Sequence, residues 1–336
     1  MVVVTGGSGF IGSILVPLIV QAGFKVRIID RFFFGDTIPN NPHIEKVKID
    51  TRDIQTNLIQ GAFAVIDLAA LSNDPIGEID PLKTLDINYR ARRRLQEISA
   101  DLSVDRYILA SSCSVYGFQE GLLDETSGTN PLTTYAEANL LAEQSALDLH
   151  RKGSDMAVIL FRQATMYGVS PRMRFDIAIN GMTLGLWQNG SLPILRDGLQ
   201  WRPMIHVKDT SKAFILALNA EKKLLAGECF NVGSNDQNFQ IIKLAELVAE
   251  GIGKECKISW YGEPDHRSYQ VNFSKIKKTL GFVANWTPDR GAAEIIKALD
   301  SGAIKPDLQT KTLAWYNELI NWQKRLLELA PDGKLL

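Results

Sequence analysis

The chain has 336 residues, 45% of them apolar, with 37 Lys plus Arg against 38 Asp plus Glu and three cysteines. This length fits one large domain or two moderate ones, and a formal charge of −1 gives no bulk field for a nucleic acid or an acidic membrane. Cys113, Cys229 and Cys256 are too few and too scattered for a disulfide framework or a CxxC metal site, which points to free thiols in a reducing compartment. Met1 leads directly into Val2-Val3-Val4, with no basic leader and no apolar run near the ~18 residues that a membrane span needs, so a cytoplasmic protein is expected. Short apolar runs then predict strands at 2–5, 25–30, 44–49, 64–69, 106–111 and 157–162. Amphipathic helices are predicted between them at 10–22, 81–102 and 133–152. Strands that read as continuous apolar runs belong to a parallel sheet covered on both faces. The reading is therefore an α/β protein built on a Rossmann-type, doubly wound sheet.

After about residue 168 the pattern loosens, through a Gly-, Pro- and Trp-containing stretch at 190–203, to a last helix at 308–327. A smaller, discontinuous second region is expected. Residues 1–168 with about 205–235 would form the nucleotide-binding domain, and about 169–204 with 236–336 the substrate-binding region.

Thr5-Gly6-Gly7-Ser8-Gly9-Phe10-Ile11-Gly12 lies between the first strand and the first helix. Glycines there permit a tight turn and bring backbone N–H groups and the positive helix end against a pyrophosphate. Asp30 ends the second strand, 18 residues beyond Gly12, where a carboxylate accepts from ribose hydroxyls and repels a 2′-phosphate. NAD is thus favoured over NADP, with Arg31 next door as the contrary signal. Asp50 and Thr51 follow the third strand, where the carboxylate would reach an adenine amino group or cap a helical turn.

Leu109-Ala110-Ser111-Ser112-Cys113-Ser114-Val115-Tyr116-Gly117 closes a strand, and Tyr135-Ala136-Glu137-Ala138-Asn139 opens a helix. With the glycine loop, Asp30, Leu68-Ala69-Ala70, Asn88 and Phe230-Asn231-Val232-Gly233, these segments resemble the extended short-chain dehydrogenases/reductases, the family of NAD-dependent sugar-nucleotide epimerases and dehydratases. The resemblance implies NAD held along Gly6, Gly9, Phe10, Ile11, Gly12, Asp30, Arg31, Asp50, Thr51, Leu68, Ala69, Ala70, Asn88, Ser111, Tyr135, Asn139 and Gln163. It also implies Ser112 as the polar partner of the sugar hydroxyl and Tyr135 as the base. A tyrosine of ordinary pKa ~10 is only about 0.1% ionised at pH 7, and the family supplies a Lys four residues on to favour the phenolate. This chain has Asn139 there, an uncharged side chain able to hydrogen-bond a ribose hydroxyl. On this reading the main electrostatic support for the phenolate is missing; a large gain in activity on Asn139→Lys supports an enzyme, and no gain with cofactor and substrate bound supports a non-catalytic binder. A weakened or altered enzyme, natural or engineered, and a non-catalytic sugar-nucleotide-binding protein both remain open.

The family's dehydratases carry an Asp-Glu pair where this chain has Cys113 and Ser114, so dehydration is disfavoured. Oxidation and reduction at one carbinol remains, as in a 4-epimerase or a C4 oxidoreductase acting on a nucleotide-diphosphate sugar. Arg202 and Arg267, the latter in 264–268, are the diphosphate candidates because guanidinium forks suit phosphate oxygens. Arg172 and Arg174 are weaker candidates, with Ser114 and Thr165 beside the sugar. His206, within an apolar strand, reads as a core residue, and the histidines show no metal-ligand spacing. No metal is expected, and a homodimer through helices 81–102 and 133–152 is.

Overall fold

The structure, a computed structural model, describes residues 1–263, 265, 267–330 and 333; Pro264 and His266 of the 264–268 motif lie outside the described residues. Seven parallel strands form the central sheet, in the order Glu228–Val232, Ala157–Gln163, β5 (Arg106–Ser112), β4 (Ala64–Asp67), β1 (Val2–Thr5), β2 (Val26–Asp30) and β3 (Ile44–Lys48). All six predicted strands are present within a residue or two of their expected ends. The chain builds outward from β1 to β3, then returns to the other side of β1 as β4. The carboxyl ends of β1 and β4 therefore flank a topological switch point, the place where open α/β sheets bind ligands.

Alternation along the strands sends side chains into two cores. Val2, Val4, Ile28, Ile66, Ile108 and Phe161 pack with α1 (Gly12–Gln21) and the helix Val207–Asn219. Val3, Ile29, Val65, Tyr107 and Leu160 pack with residues of the helices of the opposite face. On that face the helical path runs through α2 (Asp74–Gly77), α3 (Pro81–Leu85), α4 (Arg92–Asp101) and α5 (Thr134–Arg151). A third core, including Tyr167, Met173, Ile179, Leu186, Leu244, Val248 and Ile295, binds the helices Ala178–Asn189, Ile241–Ile252 and Pro288–Asp300 into a smaller region. Tyr269, Val271, Phe273, Ile276 and Phe282 join the first core instead, next to the sheet.

The single helix predicted for 81–102 is interrupted: Asp86–Ala91 forms a π-helical turn between α3 and α4. The cause lies in four buried polar residues at every fourth position, Thr84, Asn88, Arg92 and Gln96. In a regular α-helix a four-residue step overshoots a full turn by about 40°, so such a seam would spiral off its face. The wider π turn corrects the drift. Each residue finds a partner: the Thr84 hydroxyl donates to Gly77 O, the Asn88 amide brackets the Leu71 backbone, and Gln96 donates to Ala142 O.

His206 is fully buried, 2.9 Å from Glu294 and stacked on Trp286, and burial lowers its pKa. It is a core residue, as the apolar strand suggested. Among the described residues no helix is long and apolar enough to cross a membrane.

Candidate active site

A cavity of about 820 Å³ opens at the carboxyl ends of β1, β2, β4 and β5 and is walled on its far side by the smaller region. Its floor is the glycine loop. Gly6 has φ +66°, and a Cβ there would stand 2.9 Å from Ala69 N. At Gly12, the first residue of α1, a Cβ would lie 2.3 Å from Gly7 O. The helix thus starts directly against the turn, which any side chain would push away. Gly12→Ala is expected to cost about 1–3 kcal/mol by overpacking and to loosen nucleotide retention, read by thermal melting and by nucleotide content after gel filtration.

Gly9, Phe10 and Ile11 line the loop, with Asp30 beside it. The Asp30 carboxylate accepts from Ser8 N at 3.0 Å and Phe32 N at 2.7 Å; burial raises its pKa while those N–H groups oppose the rise. Arg31 is paired with Asp50 at 2.6 Å and lies over the Phe33 ring. Asp50 also accepts from Arg52 N and from the Arg52 side chain, so it caps a short turn, and Arg52 above all holds it far below the usual carboxylate range. It still lines the cavity with Thr51, Leu68, Ala69 and Ala70. Asn88 lies away from the lining, both ends of its amide engaged by the Leu71 backbone, and so fixes the loop beneath the cavity.

At the end of β5, Ser111 donates to Glu143 at 2.5 Å, while Ser112 accepts from Ser114 N at 3.1 Å and Ser114 Oγ at 2.8 Å. Both Ser112 and Ser114 face the cavity. The Cys113 thiol points the other way, donating to Arg162 O, and burial pushes its pKa well up. Tyr135 sits in the first turn of α5, which Thr133 caps through Ala136 N. Burial raises the Tyr135 phenol and Asp74 adds to the rise, whereas Arg92, Ser112 and Asn139 act in the opposite direction. Asn139 lies behind Tyr135 rather than on the cavity wall. Its Nδ2 donates to Tyr135 O at 2.9 Å and its Oδ1 accepts from Arg92 Nη1 at 2.9 Å.

Gln163 faces the same space, its Oε1 accepting from Thr210, and Thr165 follows on the next short strand. Opposite, Arg202 pairs with Asp265 at 2.9 Å and lies over Tyr269, while Arg267 pairs with Asp265 at 2.6 Å and with Asp74. Arg172 and Arg174 are buried, not solvated. Arg172 packs 3.7 Å from the Phe34 ring centre and donates to Thr312, and burial lowers its pKa to about 10. Arg174 is held by Asp176 and donates to Ser72.

The sequence model of the NAD dependent epimerase/dehydratase family matches residues 2–233. The chain belongs to this family. Among family relatives, it is 25% identical over 356 residues to the UDP-glucuronate 4-epimerase of Thermodesulfobacterium geofontis, covering 99% of this chain and 98% of that protein. It is 28% identical over 305 residues to UDP-glucuronic acid decarboxylase 4 of Arabidopsis thaliana, covering 85% of this chain and 65% of that one. The solved structure of MoeE5 in complex with UDP-glucuronic acid and NAD superposes with a TM-score of 0.80 at 26% identity, over 90% of this chain and 99% of MoeE5.

In this epimerase/dehydratase-family chain, sequence reasoning passed over Arg92 and Asp74. Arg92 belongs to the run Arg92-Arg93-Arg94, which resembles a solvated face, and Arg93 and Arg94 are indeed exposed. The usable signal was register: Arg92 is four residues from Asn88 and three from Leu95, on the buried stripe. Asp74, at the start of a four-residue helix, has no local pattern to mark it.

Proposed function

We propose that the protein is an NAD-dependent nucleotide-sugar 4-epimerase or a closely related C4 oxidoreductase, working through a transient 4-keto sugar. The observation that carries this reading is a single cavity at the switch point, with the glycine cradle and Asp30 at one end, Arg172 beside them against Phe34, and Ser112, Tyr135, Arg202 and Arg267 further along its lining. The cradle fits the cofactor: Gly6 and Gly12 leave no room for a Cβ, and the Asp30 carboxylate stands beside the loop where a ribose would lie. NAD, when bound, supplies reversible hydride acceptance at the sugar carbon. Tyr135 takes the C4 hydroxyl proton as the ketone forms and returns it on reduction, and Ser112 hydrogen-bonds the same oxygen. Arg202 and Arg267 hold the diphosphate, exchanging Asp265 and Asp74 for phosphate oxygens; Arg174, bonded to Ser72, and Arg172, on the Asp30 side against Phe34, are the further candidates. Cys113 and Ser114 in place of a carboxylate pair argue against elimination. The likeness to MoeE5, solved with a UDP-sugar and NAD, supports both ligand classes.

Denaturing the purified protein should release NAD, and assays with UDP-, GDP- and dTDP-sugars should reveal turnover with at least one. Absence of bound NAD together with no turnover or binding of any of them overturns the proposal. The same reading assigns residues 1–168 with about 205–235 to the cofactor and about 169–204 with 236–336 to the substrate, in a cytoplasmic homodimer paired through the helical stretches 81–102 and 133–152. A monomer in sedimentation at micromolar concentration contradicts the dimer.

A further inference from the structure

Position 139 holds an amide where the resemblance expects an ammonium, yet the site does not lack a cation. Arg92 is 3% exposed and lines the same cavity as Tyr135. Its donors meet neutral acceptors: Asn139 Oδ1 at 2.9 Å, Ala69 O at 3.3 Å and Ala110 O at 3.4 Å. Its carboxylate neighbour Asp67 stands 3.7 Å off, already accepting from Thr5 at 2.6 Å and Tyr107 at 2.5 Å. Arg92 and Asp67 form a widely spaced buried pair, of which the guanidinium alone is on the cavity lining, in surroundings of low dielectric where its charge acts over several ångströms.

We propose that Arg92 supplies the positive charge that favours the Tyr135 phenolate, and that Asn139 is the neutral side chain that positions it. The inference rests on Tyr135 being the proton acceptor of the proposed reaction. Charges at 92 and 139 are alternatives rather than additions. Asn139 is 1% exposed and hydrogen-bonded to the guanidinium, so an ammonium at 139 would face Arg92 with Asp67 already engaged. The amide suits the place because it accepts from Arg92 on one side and donates to the Tyr135 backbone on the other. The groups that bias Tyr135 come from several elements: Asp74 of α2, itself paired with Arg267; Ser112 of β5; Asn139 of α5; and Arg92 of α4 with Asp67 of β4 behind it. Asp74 opposes ionisation and Arg92 promotes it. Arg92 reaches this position through the π turn that precedes it, an irregularity of the kind common at functional sites. In this arrangement Arg92 is a positioning residue, acting on the reaction through Tyr135.

The test is an absorbance titration of tyrosinate in cofactor-free protein, with the matching Tyr135→Phe protein subtracted to isolate one group. Because removing Arg92 alone would orphan a buried carboxylate, Asp67→Asn serves as the background. Adding Arg92→Gln should raise the Tyr135 midpoint by about 1–3 pH units, and adding Asn139→Lys to that pair should bring it back. An unmoved midpoint on adding Arg92→Gln overturns the proposal. Should the double variant fail to fold, an apolar pair takes the place of the buried ion pair: Arg92→Met added to Asp67→Leu should raise the midpoint by about 1–3 pH units over Asp67→Leu alone, and an unmoved midpoint overturns the proposal. Turnover of nucleotide sugars is measured in parallel. Expected titrations with no turnover count against the proposed reaction alone, and turnover with an unmoved midpoint counts against Arg92 alone.

Discussion

Tyr135→Phe is expected to lower turnover of a nucleotide sugar by about 10²–10⁴-fold, the usual share of a positioned acid/base, while NAD stays bound. The substitution removes one oxygen from a ring whose packing is otherwise kept. Gly77, where a Cβ would stand 2.9 Å from the Tyr135 Cβ, lets α2 come close to the start of α5, and the Thr133 cap fixes the first turn of α5. Melting temperature should therefore change little. The deciding comparison is kcat with NAD content in the same preparation; a Phe variant that keeps more than about a tenth of native turnover removes Tyr135 from the role.

Asn139→Lys alone is expected to destabilise the protein and to give no gain in activity. This reverses what the sequence suggests, where a restored lysine looks like a repair. The physical reason is local: the new ammonium would replace the acceptor of Arg92 inside a site where Asn139 is 1% exposed. A buried charge without a partner costs on the order of 3–5 kcal/mol. Calorimetric melting of the native and variant proteins checks it, alongside turnover. A variant as stable as the native protein and faster than it would show that position 139 can take a lysine beside Arg92.

Much of the sheet was legible because its strands are short, apolar and buried on both faces, so type and position follow from hydropathy alone. The glycine loop was legible for a different reason: steric demands at Gly6 and Gly12 restrict the residue type, and the restriction shows in the sequence. Ser112, Ser114 and Tyr135 could be placed through the pattern around them. What stayed hidden depends on partners distant in the chain. Arg92 meets Asn139 across two helices, and Asp74 meets Arg267 across nearly two hundred residues. Asp50 illustrates the middle ground: both its cap and its place on the cavity wall were foreseeable, but the two arginines that grip it were not. The broken helix was missed because periodicity was read at a constant pitch, and the seam of Thr84, Asn88, Arg92 and Gln96 does not keep one.

That change of pitch also bears on how this chain is set beside others. A π turn winds an additional residue into the helix and shifts everything after it by about 100°. Against a protein whose corresponding stretch is regular α-helix, an ungapped alignment can match Asn88 or Arg92 to its spatial counterpart, but not both. Any survey of which residue accompanies Asn139 has to place a one-residue gap within Asp86–Ala91 before it counts.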